Sequence, residues 1–134
     1  KANNVINQGN KMAKQIRVYE YSKCSTCVKA LKFLETHQIS FEKRAIVETP
    51  PSVAELKKAL VLLKKNGQGL KHLFNTSGVQ YRELGIAGKL DQMSEAEALK
   101  LLSEHGKLVK RPLLVSDEIC LVGFKPESWE VLLS

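Results

Sequence analysis

A Cys-x-x-Cys pair between a predicted strand and a predicted helix constrains the fold of this chain more than any other feature. Residues 16–21 alternate and are rich in β-prone side chains, which predicts a strand. Cys24 and Cys27 follow it directly, and apolar residues recur at helical spacing over 27–35. A second strand is predicted over 39–47. The chain therefore opens as β-α-β, with both cysteines at the first junction between strand and helix.

The middle of the chain carries helix signals only. Residues 52–55 and 94–97 form capping boxes, in which a serine accepts from the N–H three residues on and the glutamate there reaches back. Short helices joined by polar turns are predicted between the two capped helices, over 68–88. We expect a helical insert over about 52–106 rather than a separate domain, because no linker flanks it.

The last part of the chain returns to strands. Residues 112–116 and 119–122 predict two strands around a tight turn, and 127–132 predicts a closing helix. Strands joined by a crossover helix should be parallel, and hairpin strands antiparallel. A Cys-x-x-Cys after the first strand of this β-α-β … β-β-α order is typical of the thioredoxin-like fold. We expect one α/β domain over 14–134, with a mixed sheet and the helical insert between its two halves.

Composition excludes several classes of protein. The chain has 134 residues, of which 43% are hydrophobic and 26% charged, which is enough to bury a core. No apolar run approaches the roughly 18 residues that span a bilayer. Three cysteines are too few for a secreted disulfide scaffold, so we expect a cytoplasmic protein. Residues 1–13 are polar and aperiodic, and we expect a disordered upstream extension or an expression remnant there.

The net charge of +7 is spread along predicted helix faces, and only 6% of the residues are aromatic. Nucleic-acid binding surfaces usually cluster their cations and interleave aromatic rings for stacking. We therefore expect no direct contact with nucleic acid and none with a membrane. A solvated basic surface explains the charge, and attraction to an anionic ligand or an acidic protein partner is the alternative.

The position of the two cysteines suits nucleophilic thiol chemistry. Cys24 should lie at or just before a helix N-terminus, where unpaired N–H groups favour a thiolate, and Lys23 adds a cation. Cys27 lies within the first turn and can reach the Cys24 sulfur, which makes it the resolving thiol. The N–H groups of this turn, including those of Ser25 and Thr26, also form a cradle for an anion.

Arg111 and Pro112 open a predicted strand. If that strand lies beside the first strand, Arg111 comes near the Cys24 turn and can hold an oxyanion through two parallel hydrogen bonds. The proline can follow a cis peptide bond, and we expect a cis bond there. The alternative is a solvent-exposed arginine in a loop.

Other interpretations of the cysteines are a pair of buried small residues or half of a zinc site. One Cys-x-x-Cys supplies only two zinc ligands, and no second pair or histidine cluster follows at suitable spacing, so we expect no metal. Cys120 alternates with apolar residues on a predicted strand, where we expect a structural role.

Four segments in order resemble the ArsC/Spx/YffB family. They are YEYSKCSTCVKA at 19–30, PPSVAEL at 50–56, YRELG at 81–85 and KRPLLV at 110–115. The similarity runs from about residue 16 to 133. It implies a thioredoxin-like fold with a helical insert.

The branches of this family differ in their functional residues. The arsenate reductases that draw electrons from glutathione and glutaredoxin use one cysteine, which Cys24 matches, and three arginines, one of which Arg111 matches. Asn75 and Phe124 stand where the other two arginines would be, and Glu20 replaces a histidine. The resemblance thus implies a weakened arsenate site, in which Asn75 takes the place of a cation.

The other two branches resemble the chain in different residues. Spx-like regulators carry a Cys-x-x-Cys disulfide switch, as Cys24 and Cys27 would form, and bind the C-terminal domain of the RNA polymerase α subunit instead of DNA. The YffB branch shares the late glycine-phenylalanine step, here 123–124, and is thought to act as a glutathione-dependent thiol reductase.

We therefore expect a thiol-disulfide oxidoreductase with no bound cofactor, glutathione as co-substrate, and glutathione, glutaredoxin or thioredoxin as partner. The alternatives are a redox-sensing regulator that binds the RNA polymerase α subunit, and a true arsenate reductase. The expected catalytic residues are Cys24, Cys27 and Arg111, and the expected anion and substrate contacts are Lys23, Ser25, Thr26, Asn75 and Pro112.

Overall fold

A four-stranded mixed sheet lies at the centre of the computed structural model, which describes residues 15–133. The predicted N-terminal extension lies outside this range. The strands stand in the order β2-β1-β3-β4 across the sheet. Their bounds are β1 Arg17–Glu20, β2 Glu42–Ala45, β3 Leu113–Val115 and β4 Cys120–Val122.

The pairing of the strands follows the predicted order. β1 runs parallel to β2, with Val18 opposite Lys43, and antiparallel to β3, with Val18 opposite Leu114. β3 pairs antiparallel with β4, as a hairpin must. The mixed thioredoxin-like sheet is therefore confirmed. Because β1 and β3 are antiparallel, β1 ends beside the start of β3. The loop after β1 and the loop before β3 therefore lie next to each other.

Helices cover both faces of the sheet. α1, Ser25–Thr36, and α6, Pro126–Trp129, pack on one face, and the insert packs on the other. The insert contains α2 Val53–Lys65, α3 Val79–Glu83, α4 Ile86–Lys89 and α5 Glu95–Glu104, with 3-10 turns at Leu70–Leu73, Leu90–Gln92 and Gly106–Leu108. A further 3-10 turn, Glu130–Leu133, follows α6.

Alternation along β1 divides the core into two layers. Val18 packs with Ala30 and Leu34 of α1, whereas Tyr19 packs among the insert helices. A fully buried valine or leucine side chain contributes roughly 1.5–3 kcal/mol to the free energy of unfolding, because it is removed from water. The strand is therefore held from both faces, and the residue that follows Tyr19 again points to the α1 face.

The predicted start of the first helix is confirmed, since α1 begins at Ser25 and Cys24, with an extended backbone (φ −99°, ψ 117°), is its N-cap. Two other predicted boundaries shift. The strand expected over 39–47 is limited to Glu42–Ala45, which is the length that β1 can pair. The last helix begins at Pro126, since a proline suits the first helical position.

The two expected capping boxes have different outcomes. At α5 the box is complete, since the Ser94 hydroxyl accepts from the Glu97 N–H at 3.1 Å and the Glu97 carboxylate accepts from the Ser94 N–H at 2.9 Å. These two hydrogen bonds satisfy donors that a helix start would otherwise leave unpaired.

At α2 the predicted reciprocal box is wrong. The Ser52 hydroxyl accepts from the Glu55 N–H at 3.1 Å, but the Glu55 carboxylate does not reach back. It accepts instead from Arg17 Nη1 at 2.9 Å and from the Tyr19 hydroxyl. A charge-assisted pair in a partly buried site outcompetes one hydrogen bond to an exposed backbone N–H. The insert is thereby tied to β1.

Gly106 lies where the insert approaches the chain after β2. A Cβ added there would meet the Ile46 carbonyl oxygen at 2.0 Å. We expect Gly106→Ala to lower the free energy of unfolding by about 2 kcal/mol or more, measured by urea denaturation, because backbone must move to relieve the overlap.

Gly88→Ala is the matched control, since none of the described residues places an atom within 4 Å of the added Cβ. Its stability should equal that of the wild type or exceed it by up to about 1 kcal/mol, because alanine favours the helix. Equal stabilities of the two variants would contradict the close approach at Gly106.

Candidate active site

Cys24 lies at the N-cap of α1, directly after a turn that leaves β1. Its N–H donates to the Tyr21 carbonyl at 2.9 Å, and its carbonyl accepts from the Val28 N–H at 3.1 Å. The side chain makes no capping hydrogen bond to the helix and is half-buried. The sulfur is therefore held at the mouth of the helix, accessible from one side.

The surroundings of Cys24 favour its thiolate. Partial burial raises the pKa of the Cys24 thiol. Two N–H groups, those of Cys27 and Thr26, lower it, as do the Cys27 thiol and the Arg111 guanidinium. The net pKa of Cys24 lies below the ordinary value for a cysteine. Thiolates are the nucleophilic form of cysteine. The attacking role expected for Cys24 therefore has a physical basis in the first turn of α1.

Cys27 has the opposite environment. It belongs to α1, its side chain is fully buried on the side of the helix that faces the sheet, and its sulfur accepts from the Tyr21 N–H at 3.4 Å. Burial raises the pKa of Cys27 to about 12, and the Cys24 sulfur and the Glu20 carboxylate also raise it. Cys27 is thus a protonated thiol, and both cysteines are reduced in this structure.

Cys120 stands apart from the pair. It is buried on β4, one of the two edge strands of the sheet, and burial raises its pKa to about 12. Its packing among the apolar core residues is consistent with the structural role expected from the sequence.

Arg111 reaches the site from the start of β3, because β3 pairs with β1. The Arg111–Pro112 bond is cis, as expected. The guanidinium lies over the Tyr21 ring, 4.6 Å from its centroid. Its Nη1 is buried and has no hydrogen-bond partner among residues 15–133. A buried donor without a partner is costly, so this nitrogen is available to a bound anion.

The other residues expected to contact an anion or substrate differ in how far they are buried. Lys23 and Ser25 are exposed, and Thr26 is half-buried in the first turn. Pro112 is buried, and its carbonyl accepts from the Gly123 N–H at 2.9 Å. The roles of these four residues stay predictions.

Asn75 belongs to a neighbouring segment rather than to the Cys24 turn. Its N–H donates to the Leu108 carbonyl at 2.7 Å, and its carbonyl accepts from the Gly78 N–H at 3.0 Å. These contacts hold the insert beside the chain that leads to Arg111. Among the described contacts, none joins Asn75 to Cys24.

Three of the four arginines of the chain are engaged elsewhere. Arg17 pairs with Glu42 and Glu55, Arg44 also pairs with Glu42, and Arg82 donates to a backbone carbonyl. Arg111 is therefore the arginine whose charge lowers the pKa of Cys24.

Phe124 stands where the resemblance would require a late arginine. Its ring packs against the rings of Phe33 and Trp129, with centroids 5.7 Å and 5.1 Å away. An aromatic cluster thus fills this part of the α1 face and supplies no positive charge.

Glu20 is a site residue whose position the sequence reasoning missed. It is the last residue of β1 and is only 8% exposed, and its carboxylate acts on the Cys27 thiol. In the sequence analysis, Glu20 is only the residue that replaces a histidine of the arsenate reductases. Alternation with Val18 was the available signal, because it places Glu20 on the face that α1 covers.

The described part of the chain lacks two other features. Within 15–133, no group of three or more His, Cys, Asp or Glu side chains could hold a metal ion. Nor does any helix in that range have the length and apolar character needed to cross a membrane.

The opposed environments of the cysteines predict selective alkylation. Iodoacetamide at mildly acidic to neutral pH should modify Cys24 first, because the pKa of Cys24 is lowered while those of Cys27 and Cys120 are about 12. Peptide mass spectrometry of the folded protein measures the order. Equal labelling of all three thiols would contradict the assignment.

Arg111 should contribute to that low pKa. Replacing it in Arg111→Gln should raise the pH midpoint of Cys24 alkylation, by less than about one unit because solvent screens a half-exposed charge. Lys110→Gln removes the same charge one residue away and should leave the midpoint near the wild-type value. A midpoint unchanged in Arg111→Gln would remove the electrostatic role.

Comparison with known proteins places the chain in a family. The model of the ArsC family matches residues 19–132. Protein YusI of Bacillus subtilis is 49% identical over 84% of this chain and 92% of its own length, and the regulatory protein MgsR of the same organism is 31% identical over 86% and 87%. The crystal structure of an ArsC family related protein from Bacteroides fragilis has a TM-score of 0.82 and 47% identity over 88% of this chain and 97% of that one. This chain belongs to the ArsC family.

Proposed function

We propose that this protein is a thiol-disulfide oxidoreductase in which Cys24 attacks and Cys27 resolves. The observation that carries the proposal is the contrast between the two thiols of one helical turn. The pKa of Cys24 is lowered at the open mouth of α1, whereas burial raises the pKa of Cys27 to about 12. A nucleophile and a protected second thiol are the components that two-step disulfide exchange requires.

The proposed reaction has two exchanges. The Cys24 thiolate attacks one sulfur of a disulfide substrate, forms a mixed disulfide and releases the other sulfur as a thiolate. Cys27 then loses its proton, attacks the Cys24 sulfur and releases the second substrate thiolate, which leaves a Cys24–Cys27 disulfide. Two thiols of glutathione, or the dithiol of glutaredoxin or thioredoxin, reduce that disulfide and become oxidised themselves.

Arg111 is the proposed contact for a substrate carboxylate. Its Nη1 is buried without a partner among residues 15–133, and a guanidinium binds carboxylates through two parallel hydrogen bonds. Glutathione carries two carboxylates, so a glutathione disulfide matches this donor. In the proposed complex Pro112 shapes the same side of the site, Lys23, Ser25 and Thr26 lie at the mouth, and Asn75 contacts the substrate only if the substrate extends to the neighbouring segment.

A redox-sensing regulator is the second candidate. The specific observation in its favour is the 31% identity to the regulatory protein MgsR over 86% of the chain. In that function the Cys24–Cys27 disulfide would change the shape of a surface that binds the RNA polymerase α subunit, and no turnover would be required.

Arsenate reduction is the third candidate, and its support is narrower. Cys24 and Arg111 supply one nucleophile and one cation, while an aromatic cluster occupies the Phe124 position. We expect arsenate to be turned over more slowly than a glutathione mixed disulfide.

Replacing the cysteines one at a time tests the proposal. We expect the wild type to reduce a glutathione mixed disulfide with glutathione, with NADPH loss followed through glutathione reductase. Cys24→Ser should lower the rate by at least about 100-fold, because no nucleophile remains. Cys27→Ser should keep part of the rate, because glutathione itself can resolve the mixed disulfide at Cys24.

Cys120→Ser is the matched control, since it removes a thiol outside the pair and should keep most of the activity. The same assay with added glutaredoxin, and with arsenate as substrate, separates the enzymatic alternatives. Absence of turnover on any thiol substrate, together with diamide-dependent capture of the RNA polymerase α subunit, would favour the regulator and overturn the reductase.

A further inference from the structure

Tyr21 contacts both cysteines and the arginine of the proposed site. Its carbonyl accepts from the Cys24 N–H at 2.9 Å, and its N–H donates to the Cys27 sulfur at 3.4 Å. Its ring lies beneath the Arg111 guanidinium, with 4.6 Å between the guanidinium carbon and the ring centroid. The two contacts with the cysteines use backbone atoms only. The ring therefore has a task of its own, which is its contact with Arg111.

The pairing of β1 with β3 brings the ring and the guanidinium together. Tyr19 stands opposite Leu113, and the same antiparallel register, continued beyond both strands, places Tyr21 opposite Arg111. Alternate residues of a strand share a face, so the Tyr21 side chain follows Tyr19 to the insert side of the sheet. There it is half-buried and packs against the same apolar cluster that contains Tyr19. The core thus holds the ring, and the ring holds the guanidinium.

This contact leaves the hydrogen-bond donors of Arg111 unused. Within residues 15–133, Arg111 takes part in no ion pair, and its buried Nη1 has no hydrogen-bond partner. A carboxylate in place of the ring would occupy these donors and neutralise the charge. An aromatic face attracts the cation and leaves both its charge and its N–H groups available. A buried donor without a partner suits a site that binds an anion.

We propose that Tyr21 is the positioning residue of Arg111, and that the pair makes the site selective for disulfides that carry a carboxylate close to the attacked sulfur. The inference rests on the proposed reductase function and assigns a substrate class to its site. The Cys24 thiolate attacks one substrate sulfur, the substrate S–S bond breaks, and the other sulfur leaves as a thiolate. The substrate carboxylate meanwhile accepts from Arg111, through which Tyr21 acts.

Holding Arg111 in place matters because an unrestrained arginine has to be ordered each time a substrate binds. Immobilising one long flexible side chain lowers affinity by roughly a factor of 2–10. Tyr21 orders Arg111 when the chain folds, before any substrate arrives. A chain without the ring keeps the positive charge but loses this advantage.

Two disulfides that differ in charge measure the selectivity. The full chain carrying Cys27→Ser and Cys120→Ser, the parent of this experiment, retains Cys24 as its sole thiol. Stopped-flow absorbance gives its rate constants with 5,5′-dithiobis(2-nitrobenzoate), which carries carboxylates, and with 4,4′-dithiodipyridine, which carries none. The ratio of the two rate constants is the carboxylate preference. Because one thiolate attacks both reagents, a change in the ionised fraction of Cys24 cancels in this ratio.

We expect Arg111→Gln to lower the carboxylate preference about tenfold, because the contact for the carboxylate is lost. Tyr21→Leu and Tyr21→Met, two apolar variants without the ring, should lower it at least about threefold. Tyr21→Phe keeps the ring and should stay within about twofold of the parent. Lys110→Gln removes a positive charge one residue from Arg111 and should also stay within about twofold, which separates a local contact from the net charge of the chain.

Combining Tyr21→Leu with Arg111→Gln distinguishes positioning from a structural effect. If Tyr21 acts through Arg111, the double variant should have the carboxylate preference of Arg111→Gln alone. If loss of the ring disturbs the turn around Cys24, the two effects add, and the rate with 4,4′-dithiodipyridine falls as well. Additive effects would overturn the positioning role.

The remaining outcomes separate the inference from the function on which it rests. A carboxylate preference lowered in Arg111→Gln but unchanged in the ring-free variants, or lowered equally in Tyr21→Phe, overturns the role of Tyr21 and leaves the reductase proposal standing. A preference unchanged in Arg111→Gln overturns the proposed carboxylate contact. A Cys24 thiol that reacts with neither reagent overturns the attacking role of Cys24, and with it the proposed function.

Discussion

The antiparallel pairing of β1 with β3 is the interaction on which the site depends. Tyr19 stands opposite Leu113, so the end of β1 and the start of β3 lie side by side although more than 90 residues separate them. Leu113 and Leu114 are fully buried, which holds this pairing in the middle of the sheet. Without this pairing, Cys24 would be a helix N-cap with no arginine near it. With this pairing, the Arg111 guanidinium lowers the pKa of Cys24.

The geometry of a single helical turn then makes the two thiols different. The N-cap residue stands outside the helix, where free N–H groups face it, whereas the residue three positions later lies on the side that packs against the sheet. Cys24 therefore remains half-exposed with a lowered pKa, and Cys27 is buried with a raised one. The spacing therefore leaves one sulfur partly accessible from outside and buries the other on the inner side of the same turn.

Features that depend on neighbours in sequence were predictable, and features that depend on distant partners were not. The order of strands and helices along the chain and the Cys24 N-cap follow from local patterns, and both are present. Glu55 has the spacing of a capping box, but its carboxylate pairs with Arg17 and Tyr19 on β1, which the local motif cannot register. The resemblance presented Glu20 as a substitution at an anion site, whereas its burial depends on the packing of α1 over the end of β1 and its influence on Cys27 appears only in the folded chain.

The charges around the two sulfurs bear on the kind of substrate the site can accept. The Arg111 guanidinium lowers the pKa of Cys24, whereas the Glu20 carboxylate raises the pKa of Cys27. An arsenate oxyanion concentrates more than one negative charge within a few ångströms, and one guanidinium balances only part of that charge. A disulfide brings neutral sulfurs to the thiolate and can place a carboxylate on Arg111 further away. The charge supplied by Arg111 therefore supports the proposed disulfide exchange more than it supports arsenate reduction.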